Sequence, residues 1–353
     1  MTKPAARSPL KAWLVQACLV ALAFGLLFFT IWQQREEIRG IFSRPLDPTL
    51  FVLAFAVYFT GLVLTFARWY GLVRAIDLPF RFRDACRLGF IGNVFNLVIP
   101  GAVGGDLIKA AYLSKEQHRS TQAIASMVID RLVGLLGLFL LAGVAGIFVW
   151  GQATADAKRL IVVVWVAVGC GVTGLVLLFG QAASRWAPGL FEGHGKVALI
   201  LRELRAASEA YRRRLYVVVA MIALSSFTHG LNVFAFYLVG KTLFPVGLPS
   251  LARHFLLVPL TLFTTAVPLP FGALGLSERV GKQLFELVGH PGGALAMMGF
   301  RVLMYGGGLV GSCVYLANLR QVRALTTEAE HLEAEFEHES DAGVVETLGH
   351  GQP

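Results

Sequence analysis

The sequence predicts an all-α fold: a polytopic membrane protein with about six crossings and two re-entrant broken-helix hairpins in an inverted repeat. Three observations predict it. Of 353 residues, 56% are hydrophobic and 15% charged, with a mean hydropathy of +0.66. The apolar residues gather in charge-free runs long enough for a helix to cross hydrocarbon. Two of those runs are broken by proline and glycine in matching patterns. The same composition excludes an ordinary globular enzyme, a disordered chain and a disulfide-stapled secreted module.

Eight uncharged runs occupy roughly 12–32, 49–67, 88–105, 132–155, 160–184, 215–240, 255–277 and 302–319. The first is longer than the apolar core of a cleavable leader, and it reads as a retained span. The fourth reaches back past Asp130 and Arg131 if those charges lie within the membrane, and the last past Arg301. Four cysteines lie in or beside apolar stretches without metal-ligand spacing, and they read as small buried residues.

The third run reads Leu88 to Ile99 and then breaks at Pro100-Gly101-Ala102-Val103-Gly104-Gly105-Asp106. The seventh breaks at Pro268-Leu269-Pro270-Phe271-Gly272-Ala273-Leu274-Gly275 and continues to Glu278. Proline removes an amide donor and glycine has little helical preference, so neither run stays one straight helix. The hinge positions are Pro100, Gly101, Gly104 and Gly105 in the first, and Pro268, Pro270, Gly272 and Gly275 in the second. Broken backbone at membrane depth needs protein or a watery cavity to satisfy it.

Charge decides whether these two runs cross. Eight crossings from an inner N-terminus place 14 basic residues inside and 15 outside. Two re-entrant hairpins place 20 inside and 9 outside, with Arg131 and Arg301 in the membrane. Only the second arrangement follows the positive-inside rule. It leaves six crossings, both termini cytoplasmic, and a first hairpin entering from the cytoplasm with the second entering from outside.

The halves, about 49–155 and 215–319, share an order of features. Gly101-Ala102-Val103-Gly104 matches Gly272-Ala273-Leu274-Gly275. An acid follows each, Asp106 and Glu278, and then an arginine, Arg131 at 27 residues past Gly104 and Arg301 at 26 past Gly275. Inverted repeats around interrupted helices are the architecture of alternating-access transporters, with the substrate between the repeats.

Asp106, Asp130, Arg131, Glu278 and Arg301 are costly inside a bilayer, at about 2.5–3.5 kcal/mol each on insertion scales. Two readings follow. Asp106–Arg131 and Glu278–Arg301 pin the hairpins to neighbouring crossings, or the arginines grip phosphate with their planar forks while the acids neutralise them. Asn96 and Asn93, before the first break, bond freed backbone or a headgroup. Thr261, Thr264 and Thr265 face the same choice, and His229 reads as an interhelical hydrogen-bond partner. Residues 196–214 alternate basic and apolar positions, with Tyr211 among the latter, as in an amphipathic helix on anionic headgroups of the cytoplasmic leaflet. Residues 324–353 read as an acidic tail, since eight acidic and no basic residues follow from Glu328.

Asn96-x3-Pro100-Gly101-x2-Gly104-Gly105-Asp106, then Asp130-Arg131, then Pro268-x-Pro270-x-Gly272-x2-Gly275-x2-Glu278 resembles the membrane domain of the lysylphosphatidylglycerol synthase and flippase-like family, which includes the UPF0104 membrane proteins. The resemblance covers roughly residues 10–320. In full-length relatives a C-terminal domain aminoacylates phosphatidylglycerol and the membrane domain moves the product across the bilayer. Only a short acidic segment follows the last crossing here, so the resemblance implies lipid translocation without synthesis. Phe271 stands where relatives often have glycine.

The expected function is a lipid translocator, a flippase or scramblase of the cytoplasmic membrane, whose substrate site holds Asp106, Arg131, Glu278, Arg301, Asn96 and Asp130. The expected partners are a membrane phospholipid or lipid-linked headgroup and anionic lipid at the cytoplasmic face. Assembly with a second copy is compatible with the sequence, and nucleic acid is not an expected partner. No cofactor, metal or enzyme constellation is predicted. The alternatives are an ion-coupled transporter of a small anion and a non-transporting partner of a lipid-modifying enzyme.

Overall fold

A computed structural model describes residues 9–43, 45–98, 104–117, 120–179, 208–209, 211–266 and 270–322. Among these the chain is helical throughout. In order come α1 (Pro9–Gln33), α2 (Arg35–Phe42), α3 (Pro48–Ala75), α4 (Phe82–Val98), α5 (Gly104–Gln117), α6 (Ser120–Val149) and α7 (Ala155–Phe179). Then come α8 (Leu215–Leu243), α9 (Leu251–Phe263), α10 (Leu276–Glu286) and α11 (Gly293–Ala317).

Among the described residues, five helices are long and apolar enough to cross a membrane: α3, α6 from Ser126 onward, α7, α8 and α11. The molecule is therefore an all-α, multi-pass membrane protein. The helix over the first run, α1, has 25 residues. Phe28, Phe148, Val163 and Leu309 are each more than half exposed, an outer surface suited to lipid and not to water. Trp32, Trp150 and Tyr237 each lie beneath a cation, Arg35, Lys158 and Lys241 respectively. Amphipathic rings of this kind belong at a membrane–water boundary.

The helices beside the two breaks are short. With 17 and 14 residues, α4 and α5 reach about 26 and 21 Å; with 13 and 11, α9 and α10 reach about 20 and 17 Å. None spans a hydrocarbon core of about 30 Å.

Two core clusters divide the molecule by its ends. One gathers Trp69 and Leu72 of α3, Leu88 and Ile91 of α4, Ile108 and Leu113 of α5, Ile129 of α6 and Val218 of α8. The other gathers Ala54 and Tyr58 of α3, Ala145 of α6, Val233 and Phe236 of α8, Leu256 and Leu257 of α9, Phe285 of α10 and Phe300 of α11. The long helices thus run from one cluster to the other. Both limbs of the first broken segment lie in the first cluster, and both limbs of the second lie in the other.

The central interface joins α3 to α8, the long helix that opens each half. α6 packs on α9, and α11 on α4. Within the first segment, α5 crosses α4 at Gly105 and Gly92. A β-carbon at Gly105 would collide with the Gly92 carbonyl oxygen and stand 2.7 Å from Asn96 Oδ1. α1 rests on the second segment, with Phe24 edge-on to Phe271 at 5.5 Å between ring centres.

The structure corrects several expectations. Arg68, counted with the cytoplasmic charges, lies inside α3 with 6% of its surface exposed. The apolar run continues past it through Trp69, Leu72 and Val73, so α3 extends to Ala75. Lys109, counted likewise, is a half-buried member of α5. Tyr211 is fully buried, and its hydroxyl donates to the Leu72 carbonyl at 2.9 Å. It is a core residue docking the start of α8 onto α3, not part of a lipid-facing stripe. Cys18, Cys170 and Cys313 are exposed and Cys86 is half-buried; a thiol behaves as a small hydrophobe and lies as well against lipid as against core. Residues 196–207 and 324–353, with Pro100, Gly101 and Pro268, lie outside the described residues.

Candidate functional site

The second break is built around a left-handed turn. Phe271, Gly272 and Ala273 have φ of 55°, 64° and 54°, and Gly275 follows at 82°. Glycine takes these angles at no steric cost, whereas phenylalanine and alanine do not. A β-carbon on Gly275 would also stand 2.5 Å from Leu26 Cβ and 2.9 Å from the Ala23 carbonyl of α1. The turn needs fixing, and the Glu278–Arg301 pair fixes it. Glu278 Oε2 accepts the Gly275 amide at 2.6 Å, and Oε1 accepts Arg301 Nε at 2.5 Å. Arg301 Nη1 donates to the carbonyls of Phe271 at 2.7 Å and Gly272 at 3.2 Å. The pair is sealed, with side chains 4% and 0% exposed for Arg301 and Glu278. Arg301 Nη2 is buried and has no partner. The hydroxyls of Thr261, Thr264 and Thr265 donate to the carbonyls of Leu257, Thr261 and Leu262, so their role at this break is to satisfy local backbone.

The first break holds the matching pair in a different state. Arg131 Nε donates to Asp106 Oδ2 at 2.6 Å. Lys109, one turn on from Asp106, donates to Oδ1 at 3.3 Å and lies 5.2 Å over the Trp69 ring. The Arg131 side chain is 42% exposed and that of Asp106 16%. One carboxylate thus bonds two cations, and Arg131 is the more exposed of them. Asn96 Oδ1 accepts the Gly105 amide at 3.1 Å, which ties the end of α4 to the start of α5. The Asn93 amide nitrogen is buried without a partner.

A third charged group ties the halves together. Arg68 of α3 makes a two-pronged pair with Asp130 of α6, at 2.9 and 3.0 Å, and its Nη1 donates to Ser225 Oγ of α8 at 2.9 Å. Ser225 Oγ and His229 Nε2 converge on the Gly134 carbonyl at 3.3 and 3.1 Å. Asp130 therefore pairs with Arg68, not with its neighbour Arg131. The interhelical hydrogen bond expected of His229 is present. His254 is wholly buried, with Nδ1 3.0 Å from the Ser250 carbonyl.

Sequence reasoning paired Asp106 with Arg131 and Glu278 with Arg301, as the structure does. It missed Arg68 and Lys109. The signal for Arg68 was present, since aromatic and aliphatic residues follow it directly. The end of α4 and the turn at Phe271 meet on α11. Leu97, at the end of α4, and Phe271 line one cleft of about 270 Å³ with Val94, Tyr305, Gly308, Leu309 and Ser312. A β-carbon on Gly272 would lie 3.6 Å from Arg301 Nη1 and 4.0 Å from Leu97. Among the described residues, no group of three or more histidine, cysteine or acidic side chains could hold a metal.

The sequence profile of a family described as the lysylphosphatidylglycerol synthase TM region matches residues 12–311. No curated protein and no solved structure matches the chain.

Proposed function

The chain belongs to the lysylphosphatidylglycerol synthase TM region family, and we propose that it translocates a lipid, as a flippase or scramblase of the cytoplasmic membrane. In this reading α1, α3, α6, α7, α8 and α11 are the six crossings. The segments α4–α5 and α9–α10 enter from opposite faces and turn back, forming an inverted repeat over about 49–155 and 215–319 within a membrane domain of residues 1–323. Both termini face the cytoplasm, with 196–214 lying along the inner leaflet and 324–353 as an acidic tail. The division of the core into two end clusters, each holding one broken segment, supports this topology.

The observation that carries the proposal is the unequal state of two matching charge pairs. Glu278–Arg301 is sealed and bonded to its own turn, whereas Asp106–Arg131 is partly open and shares its acid with Lys109. A lipid phosphate reaching the exposed side chain of Arg131 meets a guanidinium that can bond it through a charge-assisted hydrogen bond. We assign Arg131 and Lys109 as phosphate ligands in this state, with Asp106 as their counterion when the site is empty. Arg301 takes the phosphate in the alternate state, when the turn at Pro270, Gly272 and Gly275 rearranges. Asn96 and Asp130 act by positioning, one at the first break and the other through Arg68. The acyl tails stay in lipid.

Purified protein reconstituted with fluorescent phospholipids tests the reading. Wild-type protein is expected to expose inner-leaflet label to an external quencher, and Arg131→Ala and Arg301→Ala to slow this by at least about tenfold, equivalent to about 1.4 kcal/mol. Equal rates in all three remove the proposed roles. Uptake of a water-soluble anion in place of lipid would favour a small-anion transporter. Loss of function confined to changes in 196–214 or the tail would favour a non-transporting partner of a lipid-modifying enzyme.

A further inference from the structure

On the reading above that the chain handles membrane lipid, we infer that the cleft roofed by α2 is a binding site for one fatty-acyl chain. The cleft encloses about 600 Å³ between the end of α1, the start of α3, the end of α8 and the start of α11. That lies within the range of ligand pockets, roughly 300–1,000 Å³. Its walls are Phe51 of α3, Leu243 of α8, and Met298 and Val302 one turn apart on α11, while Ile38 and Ile41 of α2 close it above.

Among the described residues two polar side chains touch the cleft, and both bond nearby backbone. Thr242 Oγ1 donates to the Leu238 carbonyl at 3.0 Å. Asp47 caps α3, accepting the amides of Thr49 and Leu50 at 2.8 and 3.3 Å. The other lining residues described are apolar, and water enters a cavity only where two to four polar groups receive it. The occupant is therefore apolar.

Its source follows from the roof. α2 begins after Gln34, two residues past Trp32, whose ring lies 5.5 Å beneath Arg35. Arg35, Glu36 and Arg39 point outward in exposed ion pairs while Ile41 is 5% exposed. An amphipathic helix in this position lies at the headgroup level with its apolar face down. In this placement α2 stands between the cleft and the headgroup layer, and a chain enters from the bilayer side. Acidic and basic groups both stand on the roof, so the site selects the chain and not the headgroup charge. The cleft of about 580 Å³ between α6 and α7, lined by Ile147, Trp150, Val162 and Trp165 among others, has no such roof and serves as the comparison.

Proteoliposomes containing a phosphatidylglycerol with a diazirine on one acyl chain test this, with adducts mapped by peptide mass spectrometry. Adducts are expected to concentrate on 38–51 and 295–302. Val302→Trp and Met298→Trp, which fill the cleft, are expected to reduce them about tenfold, or about 1.4 kcal/mol of binding. Val163→Trp on the outer face of α7 leaves them unchanged. Equal labelling of the α6–α7 cleft, or undiminished labelling in both filled variants with native melting, overturns the site. Lipid translocation measured on the same vesicles separates the two readings. Translocation without local adducts refutes the acyl site alone, and local adducts without arginine-dependent translocation refute the proposed function alone.

Discussion

Asp130 and Arg131 are sequence neighbours, so they stand about 100° apart around α6 and serve different helices. Asp130 turns to Arg68 of α3, and Arg131 to Asp106 of α5. The same rule explains why spacing revealed the Asp106–Arg131 and Glu278–Arg301 pairs but not Arg68: a hydropathy run ends at its first charge, and nothing in one dimension says that an acid 62 residues away neutralises it. Exposure separates the two repeat-related pairs in energy. Removing one member of a buried pair strands the other, at a cost of about 3–5 kcal/mol. Glu278→Ala is therefore expected to lower stability in detergent by about that amount, seen as an earlier thermal transition. Arg131→Ala, at a partly exposed pair, is expected to cost about 1 kcal/mol or less. Equal losses would mean that both pairs are pins of the same kind, and the unequal-state account would lose its basis.

The broken segments were the most legible elements, because Pro100, Pro268, Pro270 and the adjoining glycines forbid continuous helix. The packing of the limbs was not legible. Gly92 and Gly105 meet because of the angle at which α4 and α5 cross, which the glycines permit but do not announce. Gly105→Val should press on the Gly92 carbonyl and displace the Asn96 side chain that bonds the Gly105 amide. Overpacking of this kind costs about 1–3 kcal/mol, and the yield of monodisperse protein should fall with the melting temperature. Unchanged melting would show that the limbs are looser than the structure has them. The left-handed turn at Phe271 to Ala273 was also hidden, since only Gly272 in it carries the residue type that such angles favour. Tyr211 misled for a related reason: among arginines it resembles a lipid-facing anchor, yet its hydroxyl lies on the Leu72 carbonyl of α3.

At the scale of the molecule, hydropathy located the five long helices and charge asymmetry ranked the topologies. Moving Arg68 from the cytoplasmic count into α3 leaves that ranking intact, because a single residue does not offset the excess of basic residues on the proposed inner side. The exchange of packing partners, α6 on α9 and α11 on α4, was beyond the reach of sequence. It is the exchange expected of the proposed inverted repeat, in which each half completes the other's core. In the proposed topology α4–α5 and α9–α10 both turn back, so that the end of α4 and the turn at Phe271 reach Arg301 from opposite faces. Single cysteines at Arg81, before α4, and Gln152, after α6, in a background without other cysteines, test this most directly when intact cells are treated with a membrane-impermeant maleimide. Gln152→Cys should label at once and Arg81→Cys only after permeabilisation. Labelling of both positions from the same side would mean that α4–α5 crosses the bilayer, and would contradict the account.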